Sequence, residues 1–310
     1  MLKSTDAVGC VAAGATLSQQ YAAEILPSFF IIGPPRTGTT WLHKVLREHV
    51  VLPNSIKETR FFDRNFHQGI PWYRAHYEKF TPGRLAGEVA PTYFASFLAR
   101  ERIAHTVPWA KVICIFRNPV ERVLSLYRLK RAYGRIPWSF EQAIVRDPEL
   151  LESSEYASNL RAWRNAFGAS HVMACVYDDL QKNPQSYIHA LADFIEIPRF
   201  TLTPADAAYV ESSDALTHPR SYYRTRGATL MADWLKKRRL GKLVSIIKNS
   251  RVRRYLLAGG PPFGDLPLEF LQDLCEVFRH EVEQLESLLN RDLSAWKSLA
   301  ETSRADSASA

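Results

Sequence analysis

Residues 29–42 read FFIIGPPRTGTTWL: an apolar run ends in a glycine, two prolines and an arginine, and Gly-Thr-Thr follows. A strand, a tight turn and a helix start make an anion site, because free backbone N–H groups and the positive end of the helix dipole face the ligand. Gly33 and Gly38 let the backbone turn and approach that ligand closely. Their spacing is that of a Walker loop, but Thr39 stands where such a loop has its lysine. The later run KVICIF ends in Arg117-Asn118-Pro119, with no acid to hold Mg²⁺. The segment therefore keeps an anion cradle, lacks the equipment for a γ-phosphate and carries its cation inside the turn, at Arg36. The bland alternative is an ordinary strand-to-helix turn capped by threonine.

A second segment, ICIFRNPVERVLSLY, places Arg117 at a strand end and Pro119 where a helix would begin. Ser125 follows Arg117 by eight residues, about two helical turns on. An arginine and a serine so placed can converge on a second phosphate, although a surface arginine and a mid-helix serine are each common.

Together the two segments resemble the sulfotransferases that use 3′-phosphoadenosine 5′-phosphosulfate (PAPS). In that family a G-x-P-[KR]-[ST]-G-T-T-W-L loop holds the 5′-phosphosulfate and a strand-Arg-x-P-x-x-R-x-x-S-x-Y element holds the 3′-phosphate. The resemblance assigns Arg36, Thr37, Gly38, Thr39 and Thr40 to the first role and Arg117 and Ser125 to the second. Trp41 falls where the family often sets an aromatic against adenine, with core packing as the equal alternative. The family's C-terminal basic-glycine loop for the 3′-phosphate finds its nearest text in Arg224-Thr225-Arg226-Gly227, with Arg220 beside it. A solvated basic loop is the simpler reading of those residues.

Between the motifs lie KETRFFDRNFHQGIPWYRAHYEKF and GEVAPTYF. These are similar to the heparan-sulfate branch of the family, including its N-deacetylase/N-sulfotransferase members, and to bacterial relatives of that branch. Those proteins carry Glu-x-x-Phe-Phe, Gly-x-x-Trp-Tyr and Glu-Lys-x-x-x-Tyr-Phe. The resemblance makes Glu58 the catalytic base, taking the proton that an acceptor hydroxyl or amine loses as its bond to sulfur forms. It makes Arg36 the cation that neutralises the leaving oxygen. Without the family, Glu58 reads as a surface carboxylate paired with Lys57 or Arg60. Two departures stand out: Arg36 replaces the more usual lysine, and Val89 occupies the branch's second lysine position. Lys57 or another basic residue is left to compensate, and Glu88 takes a structural or positioning role. His43, His49, His67 and His76 share no face with metal-ligand spacing, so no metal is expected.

The elements that must hold these residues follow from periodicity. Phe29–Ile32, Arg84–Glu88, Lys111–Phe116 and His171–Tyr177 read as strands, three of them apolar on both faces, as a covered parallel sheet requires. Helical patterns run over Thr39–His49, Ala95–Thr106, Pro119–Tyr133, Glu152–Phe167 and Pro184–Phe194, and in the fourth Tyr156, Leu160, Trp163 and Phe167 recur at i, i+4, i+7 and i+11 along one face. A long amphipathic helix spans Leu266–Leu289, ended by Asn290. Strand alternating with helix predicts one α/β domain, a P-loop-like parallel sheet flanked by helices, over 28–297. Residues 1–27 are expected to form an extension and 298–310 a disordered tail.

The net charge is +8, but nine of the 40 Lys and Arg lie in KKRRLGKLVSIIKNSRVRR, residues 236–254, leaving 31 against 32 acids elsewhere. A general nucleic-acid surface is therefore not implied. Leu240, Leu243, Val244 and Ile247 give this segment a basic amphipathic pattern. Three readings compete: a lid over the acceptor cleft, a contact with an anionic membrane presenting a lipid-linked acceptor, and a contact with a polyanionic glycan. The four cysteines, Cys10, Cys114, Cys175 and Cys275, form no CxxC pair, and two sit in apolar runs. Buried free thiols, no secretory leader and no ~18-residue apolar stretch point to a cytoplasmic, at most peripheral protein. The expectation is a metal-independent, PAPS-using sulfotransferase that releases PAP (3′-phosphoadenosine 5′-phosphate). Its acceptor would be a carbohydrate or lipid-linked molecule. A P-loop nucleotide kinase and a non-catalytic nucleotide-binding module are the alternatives.

Overall fold

The computed structural model describes residues 26–54, 56–77, 83–209, 217–237, 260–264 and 266–298. Four strands, Phe29–Ile31 (β1), Gly87–Val89 (β2), Lys111–Phe116 (β3) and Val172–Val176 (β4), form one sheet in the order β2-β1-β3-β4. Every pairing is parallel, with Ile31 opposite Val89 on one side and Ile113 on the other. Side chains alternate across a strand, so the continuous apolar runs feed two cores. Phe30, Ile32, Val112, Cys114 and Phe116 enter one core, and Phe29, Ile31, Ile113 and Ile115 enter the other. Each such side chain, fully removed from water, contributes roughly 1.5–3 kcal/mol before entropy is charged against it. The expected α/β sheet is present, although β2 begins at Gly87, three residues later than its apolar pattern.

Helices Thr39–Leu46 (α1), Gly69–Arg74 (α2), Phe97–Thr106 (α3), Pro119–Ala132 (α4), Phe140–Arg146 (α5) and Glu149–Glu152 (α6) lie along the first half. Tyr156–Phe167 (α7), Tyr177–Lys182 (α8), Pro184–Ile195 (α9), Pro204–Tyr209 (α10), Tyr222–Lys237 (α11) and Leu268–Leu289 (α12) follow. The caps have local causes. Asn118 accepts from the backbone of Val120 and Glu121 with Pro119 at the first helical position, and Asn183 caps α9 before Pro184 in the same manner. Asn290 stops α12 in the left-handed region, at φ 48°. The helix expected from Glu152 begins only at Tyr156, because Ser153 and Ser154 break the run and the Ser154 hydroxyl accepts from Arg122 instead. Its expected face is the buried one: Tyr156, Leu160, Trp163 and Phe167 all enter the core.

The chain ends of β1, β3 and β4 lie side by side, which brings the turn after β1, Arg117 after β3 and Tyr177 after β4 to one edge. Ligands of open α/β sheets bind at that carboxyl edge. One expected element is different: Arg224–Gly227 belong to helix α11 and form no loop. Among the described residues no helix is long and apolar enough to cross a membrane. Cys114, Cys175 and Cys275 are free and buried. The 238–254 part of the basic segment, Cys10 and the tail beyond 298 lie outside the described residues.

Candidate active site

The turn after β1 is built from close approach. A Cβ on Gly33 would lie 2.7 Å from the Ile115 Cβ and 2.8 Å from the Ile115 nitrogen, so only glycine lets β1 leave the sheet here. Arg36 and Gly38 both take the left-handed conformation, at φ 78° and 86°. For arginine that conformation is uncommon and stores strain, a feature that clusters at ligand clamps. Thr37 is fully buried and donates its hydroxyl to the Pro34 carbonyl at 2.8 Å, bracing the turn from within. Thr39 and Thr40 open α1, whose first N–H groups face the turn.

The two motifs meet. The Arg36 Nε donates to the Ser125 Oγ at 2.7 Å across 89 residues of sequence, and an Arg117 Nη lies 3.5 Å from the Arg36 carbonyl. Arg117 also pairs with Glu121 at 3.1 Å and lies over the Tyr177 ring, 4.9 Å from its centroid. The same ring would be 3.1 Å from a Cβ on Gly38, so Tyr177 packs under both halves of the site. Tyr156 donates its hydroxyl to the Arg117 carbonyl at 2.9 Å, fixing where the strand ends. Arg122, fully buried one turn into α4, bonds Ser154 and the Leu150 carbonyl, and burial depresses its pKa.

Lys57 brings the third segment in. Its Nζ donates to the Thr40 Oγ1 at 3.0 Å and lies 3.3 Å from the Glu58 carboxylate. Glu58 is thereby held beside the turn, 27% exposed and reachable from solvent. Arg60 pairs with Asp63 at 2.6 Å rather than with Glu58. His43, half-buried on α1, is held neutral down to about 4, by burial first and then by Lys57 and Arg47.

Other expected residues go elsewhere. Trp41 is buried in the core and donates its indole N–H to the Asp206 carbonyl at 2.7 Å. Thr225 is fully buried, and the α11 backbone passes so close to Gly134 that a Cβ there would meet the Arg226 nitrogen at 2.9 Å. Thr229 donates to the Tyr133 carbonyl at 2.7 Å. Arg224, Arg226 and Gly227 thus ride on a helix docked to the end of α4, which removes the expected loop. The places of Tyr177 and Tyr156 at the site were not read from the sequence; the signal for Tyr177 is its position directly after a strand.

The fold and this loop define a known class. The sulfotransferase domain family matches residues 26–227, and the chain belongs to it. The bifunctional heparan sulfate N-deacetylase/N-sulfotransferase 2 of Bos taurus is 29% identical over 208 residues, 59% of this chain. The chain spans only about a quarter of that relative, 23% of its length. The membrane-associated sulfotransferase kil1 of Dictyostelium discoideum is 35% identical over 138 residues, 41% of this chain and 29% of that protein. A sulfotransferase from Alicyclobacillus acidocaldarius shares the fold, with a TM-score of 0.63 at 18% identity, over 89% of this chain and 100% of that one.

Proposed function

We propose that this chain moves the sulfuryl group of PAPS, in line, to a hydroxyl, ahead of an amine, of a carbohydrate or lipid-linked acceptor, releasing PAP. The observation that carries the reading is the 2.7 Å bond from Arg36 to Ser125, which joins the phosphosulfate-type loop to the 3′-phosphate-type motif. The residues fit a ligand with two anionic groups. The glycine-lined turn and the first N–H groups of α1 suit the 5′ end, and Arg117 with Ser125 suits the 3′-phosphate. The relatives' names favour a glycan acceptor.

In this reading Glu58 takes the acceptor proton as the new O–S bond forms. The bond from sulfur to the 5′-phosphate oxygen breaks, and its electron pair stays on that oxygen. Arg36 and Lys57 neutralise the charge gathering there, and arginine does so as a fixed cation rather than a proton donor. Lys57 also holds the Glu58 carboxylate next to the loop, where proton acceptance and departure must be simultaneous.

The test is transfer of label from ³⁵S-PAPS, in EDTA, to desulfated heparan sulfate and to lipid and phenol pools. Glu58→Gln should lower turnover at least ~100-fold while PAP affinity stays within about threefold. An active Glu58→Gln variant removes Glu58 as base. PAP binding without sulfation of any pool leaves a binding module, and turnover that needs Mg²⁺ and ATP makes the chain a kinase.

A further inference from the structure

Glu88 is a carboxylate with 0% exposure, in a strand beside the candidate site, and the chemistry above does not use it. Its Oε1 accepts from the Thr59 backbone N–H at 2.9 Å and from the Thr59 hydroxyl at 2.6 Å. Its Oε2 accepts from the Tyr73 hydroxyl at 2.6 Å, and the Tyr93 hydroxyl lies 3.3 Å away. The bonds run onward into one segment. The Thr59 hydroxyl accepts from the Phe61 N–H at 3.1 Å, the Tyr93 hydroxyl from the Phe62 N–H at 3.3 Å, and the Thr59 carbonyl from the Asn65 side chain at 2.9 Å.

That segment follows Glu58 directly and is strained. Arg60 sits at φ 52°, and Phe61–Asn65 form a π-helical turn. Both features are rare and concentrate where function over-determines the backbone. A buried carboxylate is expensive to desolvate, and an apolar side chain would fill the space at lower cost. What a carboxylate supplies here is several acceptor sites at once: Oε1 holds both the N–H and the hydroxyl of Thr59, while Oε2 takes the Tyr73 hydroxyl. The strand that carries it pairs with β1 through Glu88–Phe30 and Val89–Ile31, the run that leads into the phosphate loop. Glu88 therefore ties the backbone next to Glu58 to the same pair of strands that sets the loop.

We propose that Glu88 is a positioning residue that, through Thr59, fixes the Glu58 carboxylate against the phosphate loop. The inference rests on Glu58 being the base. Burial pushes the Glu88 carboxyl up to about 7, with the Thr59 and Tyr73 bonds pulling it down and the Glu58 charge adding to the rise. The titratable groups around it are Glu58, Tyr73, Tyr77 and Tyr93. Burial, then the Glu88 charge, drives all three phenols well above 10, so they stay donors throughout an assay range. Protonation takes one acceptor site from the clamp, so the full clamp exists above about 7 and weakens as pH falls through it.

The experiment compares wild type, Glu88→Gln, Tyr73→Phe, Glu58→Gln and the Glu58→Gln/Glu88→Gln pair. It reads PAP affinity, transfer from ³⁵S-PAPS to desulfated heparan sulfate between pH 6 and 8.5, and amide hydrogen exchange. Glu88→Gln should lower kcat at least ~30-fold with KM and PAP affinity within about threefold, because small misplacements of reacting groups cost that much. It should also erase the acid limb near pH 7, and the double variant should be no slower than Glu58→Gln alone. Exchange at Thr59 to Asn65 should rise at least ~10-fold while that of β1 and β3 stays put. Should Glu88→Gln not fold, Tyr73→Phe, which removes one of the bonds to Glu88 and the contact with the Tyr77 hydroxyl, should show the same changes at about a third of the size on a logarithmic scale. An inactive Glu58→Gln beside a fully active Glu88→Gln, or unchanged exchange over 59–65, overturns the inference while sparing the base. An active Glu58→Gln overturns the base and, with it, the route through Thr59. If desulfated heparan sulfate accepts no label, the glycan acceptor fails and hydrogen exchange alone decides for or against Glu88.

Discussion

A fully buried carboxyl and a half-buried imidazole set opposite slopes on the pH dependence of stability. Glu88 keeps its proton to about 7 in the folded protein, against an ordinary 4.5. Between those values the folded state binds more protons than the unfolded chain, so stability falls as pH rises through the window. At about 1.4 kcal/mol per pH unit the loss comes to about 3 kcal/mol by pH 8. His43 does the reverse: its ring stays neutral to about 4 against an ordinary 6.5, because burial and then Lys57 and Arg47 oppose its charge. The folded state then binds fewer protons, and stability falls as pH drops from 6.5 to 4, by up to about 3 kcal/mol. In the wild type the two slopes largely cancel, and single substitutions uncover them. Urea unfolding at half-unit steps from pH 4.5 to 8 measures this directly. The stability of Glu88→Gln relative to wild type should improve by about 3 kcal/mol between pH 5 and pH 8, and that of His43→Gln should move the opposite way. Both differences staying flat within ~0.5 kcal/mol across that range would refute the reasoning, since neither group would then be held away from its ordinary protonation.

Three further outcomes follow from the packing. Gly33→Ala forces a Cβ to within 2.8 Å of the Ile115 backbone, so PAP affinity should fall at least ~10-fold with a loss of ~2 kcal/mol in stability, read by calorimetry. Trp41→Phe removes the bond to the Asp206 carbonyl and should cost about 1–2 kcal/mol in urea unfolding while leaving PAP affinity unchanged; a large loss of affinity would return Trp41 to the adenine. Ser125→Ala removes the partner of the Arg36 Nε and should weaken PAP roughly 10-fold by titration calorimetry, with unfolding shifted by less than ~1 kcal/mol.

Much of the architecture was legible because both sheet faces are covered. Runs such as KVICIF carry their burial in plain text, and the Tyr156 to Phe167 periodicity gave its face correctly. The loop was legible for a chemical reason: two glycines at fixed spacing and an arginine in the turn have few other uses. What stayed hidden depends on long-range contact. Nothing local tells that Lys57 reaches Thr40 or that Tyr177 lies under Arg117. Arg224-Thr225-Arg226-Gly227 misled because a glycine among basic residues reads as a loop. Docking of Thr225 and Thr229 on the end of α4 holds a helix there in spite of it. Glu88 looked like an ordinary carboxylate until its donors, drawn from Thr59, Tyr73 and Tyr93, were brought around it by the fold.

In the proposed function the loop after β1 and the Arg117–Ser125 element form one pocket for a nucleotide phosphorylated at both 3′ and 5′ positions. Titration calorimetry of PAP against adenosine 5′-monophosphate, which lacks only the 3′-phosphate, tests it most directly. Wild type should prefer PAP by on the order of 100-fold, the worth of one or two charge-assisted bonds, and Arg117→Ala should reduce that preference to within about fivefold. Equal affinity of the wild type for the two nucleotides, or an unchanged preference in Arg117→Ala, would rule out such a pocket.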